Sequence, residues 1–134
     1  MRQFLSVPEL EIRDVLQRGV PNQECIMIKP RVAVDMGSFA MFIGLRASVP
    51  RTVTPVRDLF FWFGEGMVQP EDWVFLFTGT GTPARVPIEA SSGHYIFVYW
   101  GRPATLLHDS MYAPFILRFD AIEIASPPLA LPQP

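Results

Sequence analysis

The sequence predicts an all-β, mainly antiparallel domain, a sandwich or barrel of about six to eight strands, with one short N-terminal helix. Three observations lead there. Short apolar runs recur between Gly/Pro-rich breaks, 9 glycines and 14 prolines in 134 residues. No helical periodicity separates these runs, so a parallel α/β plan lacks its crossover helices. Three runs are apolar at consecutive positions: Leu59-Phe60-Phe61-Trp62-Phe63, Trp73-Val74-Phe75-Leu76-Phe77 and Tyr95-Ile96-Phe97-Val98-Tyr99-Trp100. A strand with one face in water alternates apolar and polar residues. These three do not, so both of their faces require cover.

The chain length suits one domain, read as residues 1–125, followed by a Pro-rich tail over 126–134. Apolar residues make up 49% and charged residues 18%. That charged share is below the usual value of about 25%, so little of the surface is built for water alone. A net charge of −2 gives no attraction for polyanions, and nucleic-acid binding is not expected. No signal peptide and no membrane-spanning run is visible, so a cytoplasmic location is expected. Cys25 has no second cysteine to pair with and sits in the apolar run Cys25-Ile26-Met27-Ile28, where a buried thiol is expected.

Taken in order, Ser6-Val7-Pro8-Glu9 matches a capping box, with Leu5 and Leu10 placed as a hydrophobic staple. Glu9/Arg13 and Asp14/Arg18 are i,i+4 pairs, and Gly19 ahead of Pro21 is a stop signal. A helix over about residues 7–18 is therefore expected. An edge strand through Leu10, Ile12 and Asp14 is the competing reading. Residues 24–29 and 31–35 read as extended runs around Pro30, which has no N–H to donate and marks an edge or bulge. In Phe39–Arg46 the apolar side chains fall at odd positions, opposite Ala40 and Gly44. Leu59–Phe63 and Trp73–Phe77 are expected to pair as a hairpin, and Tyr95–Trp100 to end at Gly101-Arg102-Pro103. In the last β segment, 115–125, Phe115, Leu117 and Phe119 give way to Ile122 and Ile124, a change of parity around Asp120. The prolines from 127 onward allow no paired strand; the tail is either disordered or an arm that docks on a neighbour.

Chemistry-bearing residues are few. His94, His108 and Asp109 are the weak catalytic candidates, because histidine suits proton transfer near neutral pH. Hydroxyls to accompany them would come from Ser91, Ser92, Thr105 or Ser110. His108-Asp109-Ser110 has the letters of a triad but not its geometry, since adjacent side chains diverge. No metal site is expected, because two histidines and one cysteine lack paired ligand spacing, and no cofactor is implied. Thr78-Gly79-Thr80-Gly81-Thr82 lacks the Gly-Lys-Ser/Thr ending of a phosphate loop and reads as a β–β connection.

The aromatics carry more weight. Trp73, Tyr99, Trp100 and Arg102 are candidates for a small-ligand or carbohydrate site. Phe60, Trp62, Ile96, Val98 and Trp100 are candidates for an interface. The expected function is a non-enzymatic structural or interaction module that self-associates through aromatic strand faces, as a homo-oligomer or within a larger assembly. A ligand-binding β-sandwich is the alternative, and a hydrolase using His94 or His108 the third reading.

Overall fold

The computed structural model describes residues 2–3, 6–47 and 52–128, the first pair as backbone only. Eleven strands lie among them: β1 (Arg2–Gln3), β2 (Leu10–Leu16), β3 (Cys25–Pro30), β4 (Val34–Asp35), β5 (Phe39–Arg46), β6 (Thr52–Trp62), β7 (Met67–Val68), β8 (Trp73–Phe77), β9 (Ala84–Pro87), β10 (His94–Tyr99) and β11 (Tyr112–Arg118). One four-stranded sheet runs β1-β6-β5-β11, a five-stranded sheet runs β2-β3-β8-β10-β9, and β4 pairs with β7. Antiparallel pairing dominates, and β8 with β10 is the parallel exception.

The expected N-terminal helix is not there. Residues 10–16 form β2, an edge strand against β3. The strand that replaces the helix pairs with β3 through a bulge. Ile12 pairs with Ile28 and Asp14 with Met27, which leaves Arg13 as the extra residue. The bulge lets Ile12 and Val15 both pack on the central cluster. The charged residues whose i,i+4 spacing suggests a helix bond elsewhere: Arg13 donates to Glu11, and Arg18 to the Leu107 and Tyr112 carbonyls. Glu9, read as the third residue of a capping box, instead accepts two hydrogen bonds from Arg118.

The expected hairpin of 59–63 with 73–77 is also replaced. β6 pairs with β5 and β1, while β8 lies between β3 and β10 in the other sheet. Of the 115–125 segment, only the part through Arg118 is strand; residues 121–128 are all exposed and belong to no sheet. The rest of the Pro-rich tail, 129–134, lies outside the described residues.

One buried cluster draws on both sheets. Ile26 and Ile28 of β3 and Val74 and Leu76 of β8 meet Phe39, Met41 and Ile43 of β5. Burying each such side chain contributes roughly 1.5–3 kcal/mol. Leu107 closes the cluster from the 100–111 loop at 0% exposure.

A buried carboxylate fastens that loop. The Glu24 side chain, 0% exposed, accepts hydrogen bonds from the Thr78 hydroxyl (2.9 Å) and from the backbone N–H groups of Gly19 (2.8 Å), Leu106 (2.7 Å) and Leu107 (3.1 Å). Four donors from three separate segments meet the rule that a buried charge must be fully paired.

Candidate interaction surface

Side chains alternate along β8 and β10, and the two strands run parallel in register: Tyr95 beside Trp73, Phe97 beside Phe75, Tyr99 beside Phe77. Val74, Leu76, Ile96 and Val98 face the central cluster. The other six, all aromatic, face away and form a ladder. Phe75 and Phe97 are stacked at 5.5 Å between ring centres, and Phe77 and Tyr99 at 5.2 Å. Phe75 also meets Tyr95 at 5.9 Å. These rings rest on one another, not on the cluster, and Tyr95 is 37% exposed. Met27 of β3 and Val86 of β9 lie in register with Phe75 and Tyr95 and extend the same apolar face.

Both ends of the ladder are capped. Over Trp73 sit Lys29 Nζ, 4.4 Å from the ring centre, and the Arg13 guanidinium at 5.6 Å, a cation–π arrangement. At the other end the backbone of Gly81 lies against Tyr99; a Cβ at Gly81 would fall inside the Tyr99 ring's van der Waals envelope. Gly79 meets Asn22 in the same way. The glycines of the 78–83 loop are thus accounted for by close packing, as a β–β connection requires.

The outward face of the four-stranded sheet is aromatic too. Phe42 stacks on Phe115 at 5.4 Å and meets the edge of Phe60 at 4.9 Å. Phe119 adjoins Phe60. Phe60 is 43% and Trp62 51% exposed, the Trp62 indole N–H donating to the Gly37 carbonyl at 2.9 Å.

Among the residues singled out in the sequence, Phe60 and Trp62 share this outward face, whereas Ile96, Val98 and Trp100 pack against the central cluster. Trp73 and Tyr99 lie at opposite ends of the ladder and Trp100 contacts Phe61 at 5.6 Å. Arg102 is half-buried, its backbone N–H donating to the Thr78 carbonyl and its Nε without a partner. The four proposed ligand residues are therefore spread over two sides of the sheet and a loop. The parity of Trp73/Phe75/Phe77 and Tyr95/Phe97/Tyr99 was the available signal for the ladder.

His94 Nδ1 stands 3.6 Å from Oδ1 of Asp72, a residue 1% exposed. The same oxygen accepts the backbone N–H of His94 (2.8 Å), and Oδ2 accepts that of Gln69 (2.7 Å). Arg85 approaches Oδ2 at 3.8 Å. Asp72 thereby joins the start of β8 to β9 and β10. Nearby, Arg85, Glu65, Phe63, Met67, Ile96 and Val98 are among the residues lining a shallow depression of about 140 Å³. The Ser91 hydroxyl accepts the Gly93 N–H, away from any histidine pairing. His108 is exposed beside Tyr112 (6.0 Å), and Asp109 caps its own turn through the Met111 N–H. No serine or threonine hydroxyl is hydrogen-bonded to either imidazole among the described residues, and no group of three or more His, Cys, Asp and Glu side chains is placed to hold a metal there. Cys25 is buried, and desolvation pushes its thiol up to about 12, a poor nucleophile. No helix among the described residues is long and apolar enough to cross a membrane.

Comparison with protein-family models, with curated proteins and with solved structures finds no match for this chain.

Proposed function

We propose that the protein is a non-enzymatic structural or interaction module that self-associates through the aromatic outward faces of its sheets. The observation that carries this is the six-membered ladder on β8 and β10, which rests on itself and not on the central cluster. A monomer rarely leaves a large apolar patch open, and each main sheet turns exposed aromatic side chains outward, Tyr95 on one and Phe60 and Trp62 on the other. Treated as the two layers of a sandwich over one cluster, the faces point in opposite directions. One copy can then touch two neighbours, as a subunit of a larger assembly does.

Ring geometry counts against the carbohydrate alternative. A sugar stacks on the flat of an aromatic ring, and in the ladder the flats of Phe75, Phe77, Phe97 and Tyr99 are already stacked pairwise, with interplanar angles of 16° to 22°. The flat of Trp73 carries Lys29. What the ladder offers outward is ring edges, a surface suited to packing.

Light scattering coupled to size exclusion, over a hundredfold range of concentration, tests the reading. A multimer whose mass is fixed, or rises with concentration, is the expected result. A monomer across the whole range would overturn it.

A further inference from the structure

Among the described residues the chain carries an apolar, strand-like segment that belongs to no sheet and an edge strand that matches it. Ala121-Ile122-Glu123-Ile124-Ala125 alternates perfectly, with both isoleucines on one side and Glu123 on the other. Ile122 and Ile124 are 74% and 72% exposed, the most exposed large apolar side chains of the described residues. At the far side of the five-stranded sheet, β9 is an edge strand with every residue exposed. Its pairing with β10 sets its faces: Val86 and Ala84 lie with Tyr95 and Phe97 on the ladder side, and Arg85 lies with Ile96 on the other.

We propose that residues 121–125 of one copy add as a strand to β9 of a second copy, with Glu123 opposite Arg85. In that register Ile122 and Ile124 fall beside Val86 and Ala84 and continue the apolar face of the ladder. The carboxylate of Glu123 meets the half-exposed guanidinium of Arg85, which also approaches Asp72 Oδ2 at 3.8 Å, on the other face. Main-chain hydrogen bonds supply affinity and the alternating side chains supply register, as in strand addition generally. Pro83 and Pro87, which lack N–H groups, confine the pairing edge to residues 84–86, so it takes only a short segment with Glu123 at its centre.

The segment cannot serve its own β9. Arg118 donates to Glu9, next to β2, and also to Asp120, which fixes the root of the segment at the β2 side of the sheet. From β2 to β9 is four strand spacings, about 19 Å. The four residues from Arg118 to Ile122 reach at most about 14 Å fully extended. Donor and acceptor on opposite sides of one chain make a head-to-tail contact, which closes into a ring or continues as a filament. The proposal rests on the self-association reading and names its link.

The test compares full-length protein with Ile122→Asp/Ile124→Asp, by light scattering over the same concentration range. Both positions are exposed, so the fold is expected to hold, with circular dichroism as the check. The double variant is expected to need at least about a hundredfold more protein to reach the same mass. Glu123→Arg, which sets two guanidinium groups against each other, is expected to cost about fivefold. An unchanged mass for Ile122→Asp/Ile124→Asp, with the unsubstituted protein multimeric, would overturn the strand addition and leave self-association through the faces standing. A monomeric unsubstituted protein would overturn both.

Discussion

Arg118 and Glu9 are 109 positions apart in the chain, yet one guanidinium nitrogen donates to both carboxylate oxygens, at 3.0 and 3.2 Å. The pair ties the end of β11, in the four-stranded sheet, to the start of β2, in the five-stranded one. Arg18, just past the other end of β2, donates to the carbonyls of Leu107 (3.2 Å) and Tyr112 (3.5 Å), where β11 begins. Two edge strands of different sheets are thus held together at both ends by arginine. Hydrogen bonding from Arg118, to Asp120 first and Glu9 second, raises its already high pKa, so it is charged at every working pH.

Because Arg118 and Glu9 are partly exposed at the surface, solvent screens their attraction. Arg118→Met is therefore expected to lower Tm by a few degrees at most. The effect of Glu9→Gln is expected to be nearly absent in the Arg118→Met background. A double-mutant cycle by thermal unfolding measures that coupling, and full additivity would mean that the tie contributes nothing.

Glu24 is the opposite case, because nothing screens it. Glu24→Ala leaves the N–H groups of Gly19, Leu106 and Leu107 and the Thr78 hydroxyl without their acceptor. Removing one partner of a buried charge network costs about 3–5 kcal/mol, and urea unfolding of this variant is expected to show a loss of that size. Glu24→Gln keeps one acceptor oxygen and is expected to fall between the two. A loss below about 1 kcal/mol for Glu24→Ala would show that water replaces the carboxylate.

The strand content was readable from local pattern, since runs such as Trp73–Phe77 have β composition and Gly/Pro ends. Their two-sided apolar character was readable as well. Which side faces inward was not: Ile96 and Val98 turn to the cluster and Tyr95, Phe97 and Tyr99 away from it, and both sets are apolar. Strand partners were not legible either, because β8 finds β3 and β10 through contacts that no nearby residue encodes. The N-terminal error has a local cause, as the Ser6–Glu9 box and the Asp14/Arg18 pair suit a helix, while Glu9 and Arg18 take their partners from residues 107, 112 and 118. Nothing near Glu24 in the sequence marks it as buried, since its donors come from residues 19, 78, 106 and 107.

Asp35 sets an expected pH dependence. Its Oδ1 accepts the N–H groups of Gly66 (2.9 Å) and Gly37 (2.8 Å), which hold the carboxyl below its usual value. A carboxyl whose pKa is lower folded than unfolded contributes stability that is complete above the unfolded value, about 3.9. That contribution is lost as pH falls through the folded one. Asp35→Asn is expected to remove this part of the acid sensitivity and to leave the slope of stability against pH unchanged above about pH 5. Urea midpoints from pH 6 down to pH 2 measure it, and parallel curves for the two proteins would exclude the role.

The two aromatic faces can be separated by single charges. Tyr95 on the ladder and Phe60 on the four-stranded sheet are both more than a third exposed. A carboxylate at either position stays hydrated in a monomer but would be buried at an interface, where an unpaired charge costs several kcal/mol. Tyr95→Glu and Phe60→Glu are each expected to lower the assembly mass while shifting Tm by only a few degrees. If both faces make contacts, each variant stops at a smaller species and the double variant at a smaller one still. A drop in mass from Tyr95→Glu alone would assign assembly to the ladder and leave the Phe42, Phe60 and Phe115 face to another partner. A drop from Phe60→Glu alone would reverse that assignment. Unchanged mass in all three variants, with the fold intact, would remove the aromatic faces from the assembly altogether.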